Sequence, residues 1–134
     1  MTAEDMLRLA EEYRKAAQLL LKHGRSGAPL TWAPCRLSAI HAIELFLSAL
    51  LLHQGHKASA IRAMQHDLSK RAEQTVASLQ LRKRTAHHLS AMVGNREYLV
   101  TRYSPEMPAT ISQINRLTAT LDEVAKKVTA IIEK

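Results

Sequence analysis

The sequence predicts an all-α fold, a single antiparallel helical bundle over residues 1–134, and three observations predict it. Four glycines and four prolines in 134 residues are too few for turn-rich β architectures. Aromatic residues make up only 4%, thin for the core of a β-sandwich. Apolar residues recur at spacings of three and four along most of the chain, and no strand signal stands out. At 134 residues, with 46% hydrophobic and 23% charged, the chain suits one domain with a real core rather than a disordered segment.

About five helices are expected. The first spans about Ala3 to His23, with Met6, Leu9, Tyr13, Ala16 and Leu20 as its apolar stripe. Thr2 with Asp5 forms a capping-box pattern, and Gly24 supplies a stop. The second spans about Ala33 to Gln54, with Thr31 as its cap, Pro34 in its first turn and Gly55 at its end. It is apolar nearly all round, the mark of a central buried helix. The third spans about Ser59 to Leu79, with Ile61, Met64, Leu68, Ala72, Val76 and Leu79 in its stripe. The fourth spans about Leu81 to Val93, with Leu81, Leu89, Met92 and Val93 inward and Gly94-Asn95 as its stop. Ser104-Pro105-Glu106 reads as a helix start, and Pro108 moves the start of the last helix beyond it. That helix runs to about Ile132 with a near-heptad seam of Ile114, Leu117, Leu121, Val124, Val128 and Ile131, which suits bundle packing or a subunit interface.

Polar residues inside the apolar pattern are the candidate site. His41, Glu44 and Ser48 lie at i, i+3 and i+7, on one face of the buried second helix. A carboxylate there requires a partner, because an unpaired buried charge is expensive. His66 suits a cap or a bridge between the second and third helices. Residues 57–95 hold seven basic and two acidic groups, most of the formal net charge of +7, with Arg82-Lys83-Arg84 the densest point. Such a surface attracts phosphate backbones. The alternative, a solvated face that aids solubility, is supported by the scarcity of aromatics that would stack on bases.

Other chemistries are excluded or weakened. The four glycines are too scattered for a phosphate-cradling loop. One cysteine, Cys35, permits neither an intrachain disulfide nor a cysteine-based zinc site. His53 and His56 flank the helix-breaking Gly55, and His87 and His88 are adjacent and point to different faces, so no metal and no cofactor are expected. The N-terminus is acidic where a signal peptide would be basic, and the apolar stretch Ala39–Leu52 is 14 residues broken by His41 and Glu44. A cytoplasmic protein with no membrane partner is the expectation.

Two stretches together resemble the HEPN family. One is Ala39-Ile-His-Ala-Ile-Glu-Leu-Phe-Leu-Ser-Ala-Leu-Leu-Leu-His-Gln-Gly55, followed by Met64-Gln-His-Asp-Leu68. The other is Arg96-Glu-Tyr-Leu-Val-Thr-Arg-Tyr-Ser-Pro105, similar to a stretch that precedes the last helix in many bacterial members. The resemblance covers about Leu30 to Ile132. It implies an up-and-down bundle, a homodimer, and a place in a toxin–antitoxin or defence-related pair, with RNA, nucleotide or a nucleotidyltransferase-type antitoxin as partner. Family nucleases use an Arg followed after four to six residues by a His near the last helix, and act without metal. Here the last histidine is His88, so Arg96 and Arg102 have no such His; Tyr103 follows Arg96 at the right distance but titrates near 10. The spacing recurs as Arg36 to His41 and Arg82 to His87 or His88. The resulting expectation is a module without robust intrinsic catalysis, in which Arg96, Arg102 and Tyr103 contact phosphate or partner and Arg82, Lys83 and Arg84 attract it. The alternatives are a metal-independent ribonuclease using Arg96 or Arg102 with a His from elsewhere, and a structural adaptor with no nucleic-acid contact. One arginine is expected to pair with Glu44.

Overall fold

The computed structural model describes residues 1–95 and 113–134. It is a helical bundle, and no strand occurs among the described residues. The helices are α1 (Ala3–Leu20), α2 (Ala33–His53), α3 (Ala58–Ala63), α4 (Leu68–Leu79), α5 (Lys83–Asn95) and α6 (Ile114–Ile132). Two 3₁₀ turns, Leu21–His23 and Pro29–Trp32, connect α1 to α2.

The core is built on α2. Thirteen of its 21 residues are buried, including Ile40, Ile43, Phe46, Leu47, Leu50 and Leu51. Helices α1, α4 and α6 pack round it. Helix α1 begins at the expected capping box: Asp5 N–H donates to Thr2 Oγ1 and Thr2 N–H to Asp5 Oδ2. Helix α2 ends as its sequence demands. Gly55 takes φ +97°, and the His56 and Gly55 N–H groups return to the Leu51 and Leu52 carbonyls. The helical run Pro29–His53, 25 residues, exceeds the Ala39–Leu52 stretch read from the sequence and is long and apolar enough to cross a membrane; 72% of its most apolar window is buried within the fold. Helix α6 settles its seam inside the molecule: Leu117, Leu121, Val124 and Val128 are buried in the common core.

Several expectations are corrected. The expected third helix is two, since the chain breaks at Met64–Asp67, where Gln65 adopts φ +50° and Asp67 caps α4 by accepting from the Lys70 N–H. The inward face of α4 is therefore Leu68, Arg71, Thr75 and Leu79, and Ala72 and Val76 are only half-buried. The described residues hold six helices, in keeping with the expected all-α bundle. A second non-glycine left-handed residue, Gln80, separates α4 from α5. Helix α1 buries Leu7, Ala10 and Ala17, and leaves Leu9 and Tyr13 each 38% exposed. Small alanines permit closer approach to α2 than the larger stripe would. Thr31 does not cap α2; its hydroxyl accepts from Arg25 N–H and donates to Ala28 O, tying the preceding loop. Ser104-Pro105-Glu106 and Pro108 lie outside the described residues.

Candidate functional site

Two places collect the chemistry. The first lies where α2 meets the α3–α4 turn. The helical spacing that sets His41 and Glu44 on one face brings His41 Nδ1 to 3.4 Å from Glu44 Oε2. The break before α4 places His66 so that its Nδ1 lies 3.1 Å from the same oxygen. Glu44 is only 2% exposed, whereas the side chains of His41 and His66 are 27% and 48% exposed. The cluster is thus a buried carboxylate under a rim of two imidazoles. Tyr13 of α1 sets its ring edge-on to His41, centroids 4.5 Å apart.

Beneath this rim Arg71 enters from α4. Its Nε donates to Ser48 Oγ at 2.9 Å and its Nη1 to the Asp67 carbonyl at 3.2 Å. Burial pushes the guanidinium below its usual value, opposed by the negative charges of Glu44 and Asp67. Arg71 therefore feels the Glu44 charge but does not bond to it; its N–H groups go to Ser48 and the Asp67 carbonyl. Glu44 Oε1 is buried and receives no hydrogen bond among the described residues.

The structure brings His41, Glu44 and His66 together, and Ser48 joins them through Arg71. The sequence pattern does not single out Arg71. Its signal is present in hindsight: Arg71 and Thr75 sit at i+3 and i+7 from Leu68, on the inward face of α4 once the break is placed. Arg96, Arg102 and Tyr103, the expected phosphate or partner contacts, lie outside the described residues.

The second place is the junction of α5 and α6. Arg84, Gln113, Asn115 and Arg116 line a shallow open groove. Arg82, Lys83 and Arg84 are exposed at the start of α5. A network beside them locks the two helices. Thr85 Oγ1 donates to Glu123 Oε1 at 2.6 Å and accepts from Arg116 Nη2 at 3.1 Å. Glu123 Oε2 accepts from the Arg82 N–H at 2.6 Å and from Lys127 at 2.9 Å. Burial pushes the Glu123 carboxyl up, but the hydrogen bonds from Thr85, Arg82 and Lys127 outweigh it and hold the group at about 2.

His88 is buried in this junction, with Nδ1 2.6 Å from Thr120 Oγ1. Desolvation, then the charges of Arg116 and His87, lower it to about 4. An imidazole at that value is neutral at pH 7 and a weak base, so His88 is ill matched to general-base catalysis near neutrality. Nor does the Arg36–His41 spacing converge. Arg36 and His41 are five residues apart on α2, about 140° round the helix, with Arg36 buried and His41 at the rim. Cys35 is no nucleophile: burial raises its thiol despite the adjacent Arg36, and its Sγ lies 3.4 Å from Ala17 O.

No protein-family model matches the chain, and neither a curated protein nor a solved structure matches it.

Proposed function

We propose that the chain is a HEPN-like helical module that binds the phosphates of RNA or a nucleotide through the α5–α6 groove, without robust catalysis of its own. Its place would be in a toxin–antitoxin or defence-related pair. The observation that carries the reading is the groove itself: arginines from two helices, Arg84 and Arg116, flank two side-chain amides, Gln113 and Asn115. Guanidinium groups bind phosphate oxygens in forked pairs, and amides add neutral donors. Arg82 and Lys83 extend the same positive edge. Glu123, the carboxylate at this junction, is paired internally with Thr85, the Arg82 N–H and Lys127.

The test is fluorescence anisotropy of labelled single-stranded RNA with increasing salt. Wild type is expected to bind with log affinity falling linearly against log salt. The Arg82→Ala/Arg84→Ala variant, altered only at exposed side chains, should bind more weakly on every sequence and lose about two from the salt slope. Salt-insensitive binding, or none at low ionic strength, would leave the module as a protein-only adaptor.

A further inference from the structure

We propose that His41, Glu44 and His66 form a divalent-metal site, most suited to zinc, that clamps α2 to the α3–α4 turn. One donor atom from each residue lies within 4.8 Å of the other two. The shorter separations are closer to a metal site than that bound requires. In a tetrahedral zinc site with bonds of about 2.0–2.1 Å, neighbouring donors stand about 3.3 Å apart. The two histidine nitrogens stand 3.4 and 3.1 Å from Glu44 Oε2. An ion can therefore seat among them with small side-chain rotations and no backbone change.

Three further observations point to a cation rather than to a simple ion pair. Both imidazoles use the same nitrogen, Nδ1, on the same oxygen, Oε2. One carboxylate oxygen thus has two nitrogens converging on it while its twin, Oε1, has no donor among the described residues. A metal bound through both oxygens satisfies each of them. The nearby cation, Arg71, is engaged elsewhere, on Ser48 and the Asp67 carbonyl, and does not bond Glu44. Two nitrogens and one carboxylate are also a donor set that zinc accepts readily, while calcium and magnesium prefer oxygen alone.

The surroundings resemble a held site. Glu44 is fixed in the core, the Tyr13 ring abuts His41, and the Asp67 cap fixes the residue next to His66. His66 is half-exposed, so the cluster lies at the edge of the core and an ion can reach it.

The experiment uses the full chain, freed of any purification tag and dialysed against a chelator. Zinc is added and followed by calorimetry, and cobalt is added and followed by visible absorption. One zinc per chain with affinity tighter than about 10 µM, and cobalt bands of four-coordinate intensity, are expected. His41→Asn and His66→Asn, both at partly exposed positions, should each weaken binding by about tenfold or more and abolish the rise in melting temperature with zinc. Glu44→Gln, which keeps the buried volume, should do the same, with circular dichroism confirming that each variant is folded. No binding at about 100 µM zinc would overturn the proposal. So would binding undiminished in both histidine variants, which would place the metal on other histidines.

Discussion

A Cβ on Gly24 would lie 2.1 Å from the Trp32 ring. The backbone there is ordinary, φ −71°, so the requirement for glycine is one of space, not of conformation. The indole cannot step aside freely, because its Nε1 donates to the Arg25 carbonyl. Gly24→Ala is therefore expected to destabilise by about 1–3 kcal/mol, the range for forcing atoms into a filled site. Urea titration measures it, and the single tryptophan should shift its emission to the red as the ring is displaced. A stability loss below about 0.5 kcal/mol would mean that the loop repacks without cost. In the sequence Gly24 reads as a helix stop; its packing against Trp32 is a contact eight residues away that no local pattern reveals.

At the scale of elements, Glu123 decides how α4, α5 and α6 meet. One carboxylate accepts from the first residues of α5 and from Lys127, and Lys127 also donates to the Gln80 carbonyl in the α4–α5 turn. This tie explains a turn that contains neither glycine nor proline. Gln80 at φ +50° costs roughly 1–2 kcal/mol, and contacts from a helix more than 40 residues away offset it. The sign of the pH effect follows from the depressed carboxyl. The stabilisation is complete above the unfolded value, near 4.5, and is lost as pH falls toward about 2. Glu123→Gln should cost about 1–3 kcal/mol at pH 7. The gap to wild type, measured by urea titration, should narrow as pH falls below 4.5. A gap that stays constant with pH would show that the charge contributes nothing.

The same breaks show which parts of this protein were legible. Capping at Thr2, the burial of α2 and the stop at Gly55 follow from local chemistry, so the sequence contained them. The left-handed residues Gln65 and Gln80 do not, because tertiary contacts hold them. A continuous helix through Gln65 would put Arg71 off the inward stripe; the break there turns it inward. Four of the five residues of the polar cluster are therefore readable, His41, Glu44 and Ser48 from their spacing and His66 as a bridge. The arginine beside them is not. The groove at Arg84 and Arg116 was readable only as charge, since Arg116 is 32 residues along the chain and joins it through the α5–α6 packing.

At the scale of the whole molecule, the decisive fact is where the α6 seam goes. A heptad-like stripe can bind a second chain or its own bundle, and a sequence does not distinguish them. Here α6 lies against α2, α5 and α1, with Leu117, Val124 and Val128 fully buried and Arg14 of α1 paired to Asp122 at 3.0 Å. The middle of the seam is consumed by the core of a single chain. Leu121 tests this directly. It is 2% exposed in a single chain and belongs to the central cluster. Leu121→Ala removes buried methyl groups where neighbours on several helices cannot all collapse inward, at a cost of about 2–5 kcal/mol. If the residue served an interface, stability would depend on protein concentration, because assembly would be linked to folding. The expectation is the opposite: the variant's urea midpoint falls, and it stays the same over a hundredfold range of concentration. A midpoint that rises with concentration in wild type and not in the variant would move the seam from the core to a subunit boundary.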